Sequence, residues 1–395
     1  MNILIYSHYF PPSVGGVERF VERLAKEFAE RGHGVTVATA TPAGEASDAD
    51  FACRVVRQPG LVRLAGLIRG HDVTHLAGPA LLPMILAWLL RRPAVVEHHV
   101  YQAICPNGLL IYQPTQKVCP GHFQAGRHRE CLRCNAGLGM WRSFRMWALG
   151  FPRHWFCKKV ACNVAITNHV LRRLSLPHTQ MIYHGVPPMK PFPLSEASQD
   201  GRDAIISFAY VGRFVPEKGM IVLVEAAALL DREGLPFRLI FVGDGPERPG
   251  VEAAVERLGL QNRVTFTGML GTEDLQRATA EARVLVVPSL WEELFGLAPM
   301  EQMMRGKALI VSSIGGLAEV VGDAGLQFPP GDSKSLASCM RRLALDPELV
   351  RKLGESARHR ALTLFQESAM IDAHLRVYRN VSFGRPEPSP GPGLG

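Results

Sequence analysis

The sequence contains no apolar run long enough to cross a membrane. The longest, residues 79–90, has about a dozen residues, whereas a spanning helix needs roughly 20. The first ten residues, MNILIYSHYF, lack the basic region and small-residue cleavage site of a signal peptide and are typical of a buried strand. We therefore expect a cytoplasmic protein, with at most a peripheral position at the inner face of a membrane.

Acidic residues are too few to balance the basic ones. The 44 Lys and Arg exceed the 36 Asp and Glu, so the formal net charge is +8 at pH 7. This excess favours anionic partners, which include nucleotides, nucleic acid and anionic membranes, and charge alone does not choose among them. At 395 residues the chain exceeds the usual size of one hydrophobic core, which predicts two domains.

Strands and glycine turns alternate with helices in both halves of the chain, which predicts parallel α/β sheets. In the first half, a strand at residues 2–6 is followed by a glycine loop, a helix at 17–30 and a strand at 35–40. In the second half, a strand at residues 205–211 opens a similar series. Two doubly wound sheets of this kind bind ligands at the carboxyl ends of their strands, and the cleft between the domains is the expected site.

The changes in pattern along the chain predict its domain boundaries. We expect a first domain over residues 1–186 with a cysteine-rich insertion at about 98–156, a linker over 187–203, a second domain over 204–365, a helix over 366–381 that returns to the first domain, and a disordered tail over 382–395.

The stretch at residues 286–319 has the pattern of an anion-binding edge. A strand is followed by a glycine turn and a helix, and Glu293 and Glu301 lie eight positions apart around that turn. Free N–H groups and a positive dipole end favour phosphate at such a helix N-terminus. Arg213 and Lys218 lie on another loop that follows a strand, and they could aim at one anion. The alternative for these two residues is a pair of solvated surface charges.

Several segments in this order resemble glycosyltransferase family 4. They are GRFVPEKG at residues 212–219, FVGDGP at 241–246, VTFTGML at 264–270, PSLWEELFGLAPMEQM at 288–303, GGLAEVV at 315–321, and FPPSVGGVERF at 10–20. The resemblance implies an α/β protein with two Rossmann-like, doubly wound domains that face each other across a cleft, the GT-B fold. It also implies retaining transfer of a sugar from a nucleotide-sugar donor to a hydroxyl of a glycan or lipid-linked acceptor, in bacterial cell-surface polysaccharide or glycolipid synthesis.

The resemblance also assigns roles to residues. The catalytic set would be His99, Glu293, Arg213 and Lys218, and the donor-binding set would add Gly15, Gly16, Met269, Phe295, Gly296, Leu297 and Glu301. Arg213 and Lys218 would neutralise the departing diphosphate, so no catalytic metal is expected. The histidine is ambiguous: relatives that share the cysteine segment have Asp where this chain has Val100, and His98 is an alternative to His99.

The insertion contains the residues of a candidate metal site. Cys131 and Cys134 have the two-residue spacing that lets two thiolates hold one tetrahedral ion, and Cys105 and Cys119 could complete four ligands. Structural zinc is the simplest interpretation, and an iron–sulfur cluster or unbound thiols are alternatives. Four thiolates would leave no open position for catalysis.

The segment at residues 140–159 combines tryptophans with basic side chains. It could lie on an anionic membrane that carries a lipid-linked acceptor, or it could pack as an ordinary helix. Two functions compete with the enzyme: a catalytically inactive binder of sugar nucleotides and, far behind, a zinc-containing nucleic-acid-binding protein. The second alternative has no need of the glutamate pair or the glycine turns.

Overall fold

The computed structural model describes residues 1–13, 15–44, 48–191 and 205–384. It divides into two compact units, the first formed by residues 1–114, 119–183 and 367 onward, and the second by residues 184–366 with 115–118. Most of the predicted linker (192–203) and most of the predicted tail (385–395) lie outside the described residues. Among the described residues, no helix is both long and apolar enough to cross a membrane.

The first unit is built on a parallel sheet of seven strands. The strands up to residue 183 are β1 (Asn2–Ser7), β2 (Gly34–Thr39), β3 (Arg54–Arg57), β4 (Val73–Ala77), β5 (Ala94–His98), β6 (Ile111–Tyr112), β7 (Lys117–Val118), β8 (Cys162–Ala165) and β9 (Thr179–Met181). The large sheet has the order β3-β2-β1-β4-β5-β8-β9, and β6 and β7 form a separate small sheet within the insertion. The order reverses between β1 and β4, as in doubly wound folds.

Helices connect these strands. They are α1 (Gly16–Glu30), α2 (Leu61–Gly70), α3 (Leu81–Leu89), α4 (His128–Cys134), α5 (Met140–Cys157) and α6 (Asn168–Leu174). The apolar face of α1, which includes Leu24 and Phe28, is fully buried against the β1 residues Ile3 and Ile5. This helix forms because its apolar residues recur at helical spacing along one face.

The second unit repeats the architecture with six parallel strands. Its strands are β10 (Ile206–Val211), β11 (Phe237–Val242), β12 (Val264–Gly268), β13 (Val284–Val287), β14 (Ala308–Ser312) and β15 (Leu326–Phe328). Its helices are α7 (Met220–Arg232), α8 (Arg248–Arg257), α9 (Thr272–Ala278), α10 (Leu297–Met304), α11 (Gly315–Val321), α12 (Ser333–Leu345) and α13 (Pro347–Leu364). The strand order β12-β11-β10-β13-β14-β15 is that of a Rossmann sheet, with the switch point between β10 and β13.

The last described helix, α14 (Glu367–Phe383), belongs to the first unit. Its residues Ile371 and Leu375 pack into the same core as β1 and α1. Residues 184–186, which we expected in the first unit, group with the second, since the Val186 N–H donates to the Phe365 carbonyl and Val186 bridges Gln366. Strands β3 and β15 and helix α2 were not predicted from the sequence.

A buried polar cluster joins α14 to the sheet. His374 Nε2 lies 3.0 Å from Glu97 Oε2, and the His374 Nδ1–H donates to the Met370 carbonyl. The Tyr378 hydroxyl lies 2.8 Å from His75 Nδ1. Burial lowers the pKa of His374, but the charge of Glu97 and its hydrogen bond outweigh burial and raise the pKa above its ordinary value. Burial lowers the pKa of His75 to about 4, so His75 is neutral.

Replacement of Glu97 by Gln should therefore destabilise the protein most at low pH. The raised pKa of His374 contributes stability that is present below pH 6.5 and is lost as the pH rises through the folded-state pKa. We expect Glu97→Gln to lower the free energy of unfolding by about 3 kcal/mol at pH 6, with a smaller loss at pH 9. Denaturant unfolding of the wild type and the variant at both pH values measures this difference.

The control is Glu30→Gln, which removes an exposed carboxylate of α1 that pairs with Lys26. It should change stability by less than about 0.5 kcal/mol at either pH. A loss for Glu97→Gln that is equal at pH 6 and pH 9 would contradict the pairing of Glu97 with a protonated His374.

Candidate functional site

The candidate site lies at the carboxyl edge of the second sheet, where its strand order reverses. Strand β10 leads into the loop of residues 212–219, and the neighbouring strand β13 leads into the loop of residues 288–296. Because these strands are parallel neighbours, their following loops meet at one edge of the sheet. The residues that the sequence placed in two separate motifs are brought together there.

Lys218, which is half-buried, and Glu293, which is buried, form an ion pair between these two loops. The Lys218 ammonium donates to Glu293 Oε1 at 2.8 Å, and the Ser289 hydroxyl donates to the same oxygen. Glu293 is only 6% exposed. Burial raises the pKa of Glu293, but the Lys218 charge and the hydrogen bonds from Lys218 and Ser289 outweigh burial and hold the pKa below its ordinary value. The carboxylate is therefore ionised at neutral pH and acts only as an acceptor.

Close backbone packing fixes the distance between the loops. Gly219 has a φ of +67°, and a Cβ atom there would come within 2.1 Å of the Pro288 carbonyl oxygen. The Leu290 N–H donates to the Glu217 carbonyl at 2.8 Å, next to this contact. Only glycine combines the left-handed backbone with so close an approach. The position of Lys218 relative to Glu293 thus depends on its glycine neighbour.

A third loop, which follows β11, supports the first from the other side. The Phe214 N–H donates to the Asp244 carbonyl at 2.9 Å, and a Cβ atom on Gly243 would come within 1.9 Å of the Gly212 carbonyl oxygen. The FVGDGP segment is thus the support for the loop that carries Arg213 and Lys218.

The other predicted residues of the second unit differ in how far they are buried. Arg213 is exposed, and its carbonyl accepts the hydroxyl of the buried Tyr210 at 2.8 Å. Gly296, with a φ of +93°, precedes the first residue of α10, Leu297. Glu301 is half-buried on α10, close enough to Arg305 for its charge to raise the pKa of that guanidinium against the larger lowering by burial.

Two more predicted residues lie beside these loops. Phe295 is buried, and its ring centroid lies 5.2 Å from that of His184. Met269 directly follows β12 and is 64% exposed. Phe295 therefore packs in the interior, so any contact of this residue with a ligand would come from its backbone N–H.

The predicted glycines of the first unit lie at the start of α1. Gly15 precedes the helix with an extended backbone, and Gly16 is its first residue. A Cβ atom on Gly15 would come within 2.4 Å of Glu18 Oε2, and Glu18 also accepts the Ser13 hydroxyl at 3.1 Å. An acidic side chain of the first helical turn thus lies against this glycine.

The two candidate histidines have different surroundings. His98 is the last residue of β5, fully buried, and its Nε2 lies 2.9 Å from Asn163 Oδ1. Burial lowers the pKa of His98 to about 4. His99 follows the strand end and is half-buried. Its ring packs edge-on against Phe20, with the ring centroids 4.9 Å apart. Between the two, His99 is the histidine with an accessible surface.

Sequence reasoning missed two residues of this site. Ser289 places its hydroxyl on Glu293, and Tyr210 places its buried hydroxyl on the loop of Arg213. A serine directly after a predicted strand, four positions before a glutamate, was the only available signal for Ser289. Tyr210 had none, because an aromatic residue inside a strand is usually a core residue.

Comparison with known proteins supplies the family. Residues 14–189 match the model described as Glycosyltransferase Family 4, and residues 199–360 match the model described as Glycosyl transferases group 1. The chain is 33% identical over 174 residues to the alpha-D-kanosaminyltransferase of Streptomyces kanamyceticus, a match that covers 44% of this chain and 45% of that protein. It is 26% identical to the glycogen synthase of Mycobacterium tuberculosis, over 99% of this chain and 97% of that one.

The fold is similar to that of solved structures. The crystal structure of Anabaena HepE in complex with UDP aligns with a TM-score of 0.71 and 20% identity, over 95% of this chain and 98% of that one. Two Rossmann-like parallel sheets together with this likeness define the GT-B fold class. Both halves of the chain match models of this group, and the protein belongs to the family 4 type of glycosyltransferases.

Substitution of Gly219 tests the packing that positions Lys218. We expect Gly219→Ala to lower the free energy of unfolding by about 3 kcal/mol, because the added methyl group meets a backbone carbonyl as well as an unfavourable φ. Gly234→Ala is the matched control, since Gly234 also has a left-handed backbone, with a φ of +72°, and has nothing within 4 Å of a Cβ atom. Its loss should be about 1 kcal/mol. Equal losses in the two variants, measured by denaturant unfolding, would show that the close approach is unimportant.

Proposed function

We propose that this protein is a retaining glycosyltransferase that moves a sugar from a nucleoside-diphosphate-sugar donor to a hydroxyl of a glycan or lipid-linked acceptor. The observation that carries the proposal is the partly buried Lys218–Glu293 pair at the switch point of the second sheet. It holds a cation suited to phosphate oxygens beside a carboxylate suited to sugar hydroxyls. Membership of the family supports the same reading.

The donor diphosphate would be bound by the positive groups of this edge. Lys218 and the exposed Arg213 lie on one loop, and α10 begins after Gly296 with N–H groups that have no partner within the helix. A structure similar to this one, that of Anabaena HepE, was solved in complex with UDP. A nucleoside diphosphate is therefore the ligand class we assign to the second unit.

The chemistry follows from these charges. Glu293 would accept hydrogen bonds from the donor sugar, and Glu301 would accept them from the ribose. The bond from the anomeric carbon to the diphosphate breaks, the acceptor oxygen bonds to that carbon on the same face, and the acceptor proton passes to the leaving diphosphate. Lys218 and Arg213 stabilise the charge that grows on the diphosphate. In the first unit we propose His99, after β5, as the catalytic histidine.

For the acceptor, we propose one that is carried by a membrane, for cell-surface polysaccharide or glycolipid synthesis. At the start of α5, Met140 is 89% exposed, Trp141 74% and Phe144 46%, and they alternate with the exposed Arg142 and Arg145. Large exposed apolar side chains next to cations are the features that bind an anionic lipid surface. We call these five residues the α5 surface.

Removal of either charge of the pair should abolish most of the transfer activity. We expect Lys218→Ala and Glu293→Gln each to lower donor hydrolysis and sugar transfer by about 100-fold or more, because each removes a group that acts on the donor. Lys352→Ala and Glu281→Gln are matched controls, since both side chains are exposed and lie elsewhere in the second unit. Full activity in both pair variants would refute the site, and donor binding by the wild type without any turnover would favour the inactive binder.

The α5 surface makes a separate prediction about membranes. Wild-type protein should sediment with vesicles that contain phosphatidylglycerol more than with vesicles of phosphatidylcholine alone, and Trp141→Ser with Phe144→Ser should remove that preference. Leu345→Ser, which changes a residue that is 65% exposed on α12, should leave sedimentation unchanged. Wild-type sedimentation that does not depend on the anionic lipid would refute the membrane contact without touching the donor site.

A further inference from the structure

The insertion of the first unit brings four cysteines to one place. Cys105, Cys119, Cys131 and Cys134 line a single cavity, although they are spread over 30 residues of mostly irregular chain. Three of them are buried and Cys134 is half-buried, and none forms a disulfide. Cys131 and Cys134 lie one turn apart on α4, so their sulfur atoms face the same side. The fold thus brings together cysteines from three separate segments of the chain.

Polar groups around the cavity are directed at the sulfur atoms. The Gln113 N–H lies 3.3 Å from Cys134 Sγ, and Asn107 Nδ2 lies 3.7 Å from it. The same Asn107 accepts the Cys105 thiol through Oδ1 at 3.1 Å. One side chain thus links two of the cysteines, and N–H groups aimed at sulfur are the outer contacts that orient and stabilise metal-bound thiolates.

The insertion has few other means of stability. It contains two strands of two residues each, a seven-residue helix and a short 3-10 turn before α5. This segment has only a small apolar core, in which Ile104, Leu110 and Phe123 are buried, and small segments of this kind usually depend on disulfides or a metal for their fold. These cysteines form no disulfide. A metal ion bound by their sulfur atoms is therefore the cross-link that this group of side chains can provide.

We propose that Cys105, Cys119, Cys131 and Cys134 together bind one zinc ion, which holds the insertion in its fold. Four cysteine thiolates in tetrahedral geometry are one of the usual ligand sets of structural zinc, and such a closed set leaves no open position on the ion for catalysis. The proposal is independent of the donor and of the transfer reaction. It concerns only the stability and shape of the insertion.

The positions of the sulfur atoms add a consequence. Among the described residues, the groups of three ligand atoms that lie within 4.8 Å of one another do not include these cysteines. Zinc–sulfur bonds of about 2.3 Å place the sulfur atoms about 3.8 Å apart. Binding therefore draws the segments inward, and removal of zinc should loosen the insertion in particular, with little effect on the parallel sheets.

The test begins with the full-length wild-type protein purified without chelators. We expect one zinc per chain by elemental analysis, and we expect a chelator to lower the melting temperature and added Zn²⁺, but not Mg²⁺, to restore it. Hydrogen exchange of the insertion should accelerate on chelation, while exchange of α14 should not. The proposal would be overturned if the purified protein contained no metal and added Zn²⁺ did not change its melting temperature. It would also be overturned, in favour of an iron–sulfur cluster, if the protein contained iron and acid-labile sulfide.

A matched pair of variants assigns the ligands. Cys134→Ser should lose bound zinc, whereas Cys339→Ser, which changes another half-buried thiol far along the chain, should keep it. If Cys134→Ser fails to fold, release of zinc from the wild type by a thiol-modifying mercurial gives the same information. We expect zinc to be released in proportion to the number of thiols modified, with release complete when four thiols have reacted. Zinc that remains bound after those four thiols are blocked would contradict the assignment.

Discussion

The ion pair between Lys218 and Glu293 is the interaction on which the second unit's carboxyl edge depends. Burial of two charges is unfavourable unless they pair closely and find further hydrogen bonds, and the Ser289 hydroxyl supplies one of these. The pair can form only because β10 and β13 are neighbours, where the strand order reverses. The ion pair therefore depends both on the strand order and on the close packing of Gly219.

The pair also bears on the proposed binding of a diphosphate at this edge. Glu293 neutralises Lys218, and Arg213 on the same loop is exposed. A diphosphate can then be met by Arg213 and the start of α10, and Lys218 can share its donors between phosphate and carboxylate because an ammonium has three of them. The buried carboxylate keeps its charge, since its pKa is held below the ordinary value. It remains an acceptor for hydroxyl groups throughout.

Much of the fold could be predicted from the sequence. The two parallel sheets are confirmed, because long apolar strands separated by glycine turns and amphipathic helices have few other solutions. Strand β3 has four residues with Arg54 and Arg57 at its ends, and β15 has only three residues, so neither has enough periodicity to be recognised. Pairing with a neighbouring strand, which a local pattern does not contain, creates both.

The candidate site, like the fold, could be predicted only in part from the sequence. The motifs placed Lys218 and Glu293 in one site, but their direct contact depends on the packing of Gly219 against Pro288, 69 residues further along the chain. The sequence did not show which of His98 and His99 is buried, since neighbouring residues at a strand end face opposite sides and either side could face the core. The convergence of the four cysteines was expected from CLRC, while the role of Asn107 was not.

The most direct test of this account is donor binding at the Lys218–Glu293 edge. Thermal unfolding of the wild type would be followed with uridine, guanosine and adenosine diphosphates and their sugars, since a ligand that binds only the folded protein raises its melting temperature. The account predicts a shift with at least one nucleotide, which is lost in Lys218→Ala and retained in Lys352→Ala. A shift of equal size in Lys218→Ala would contradict it.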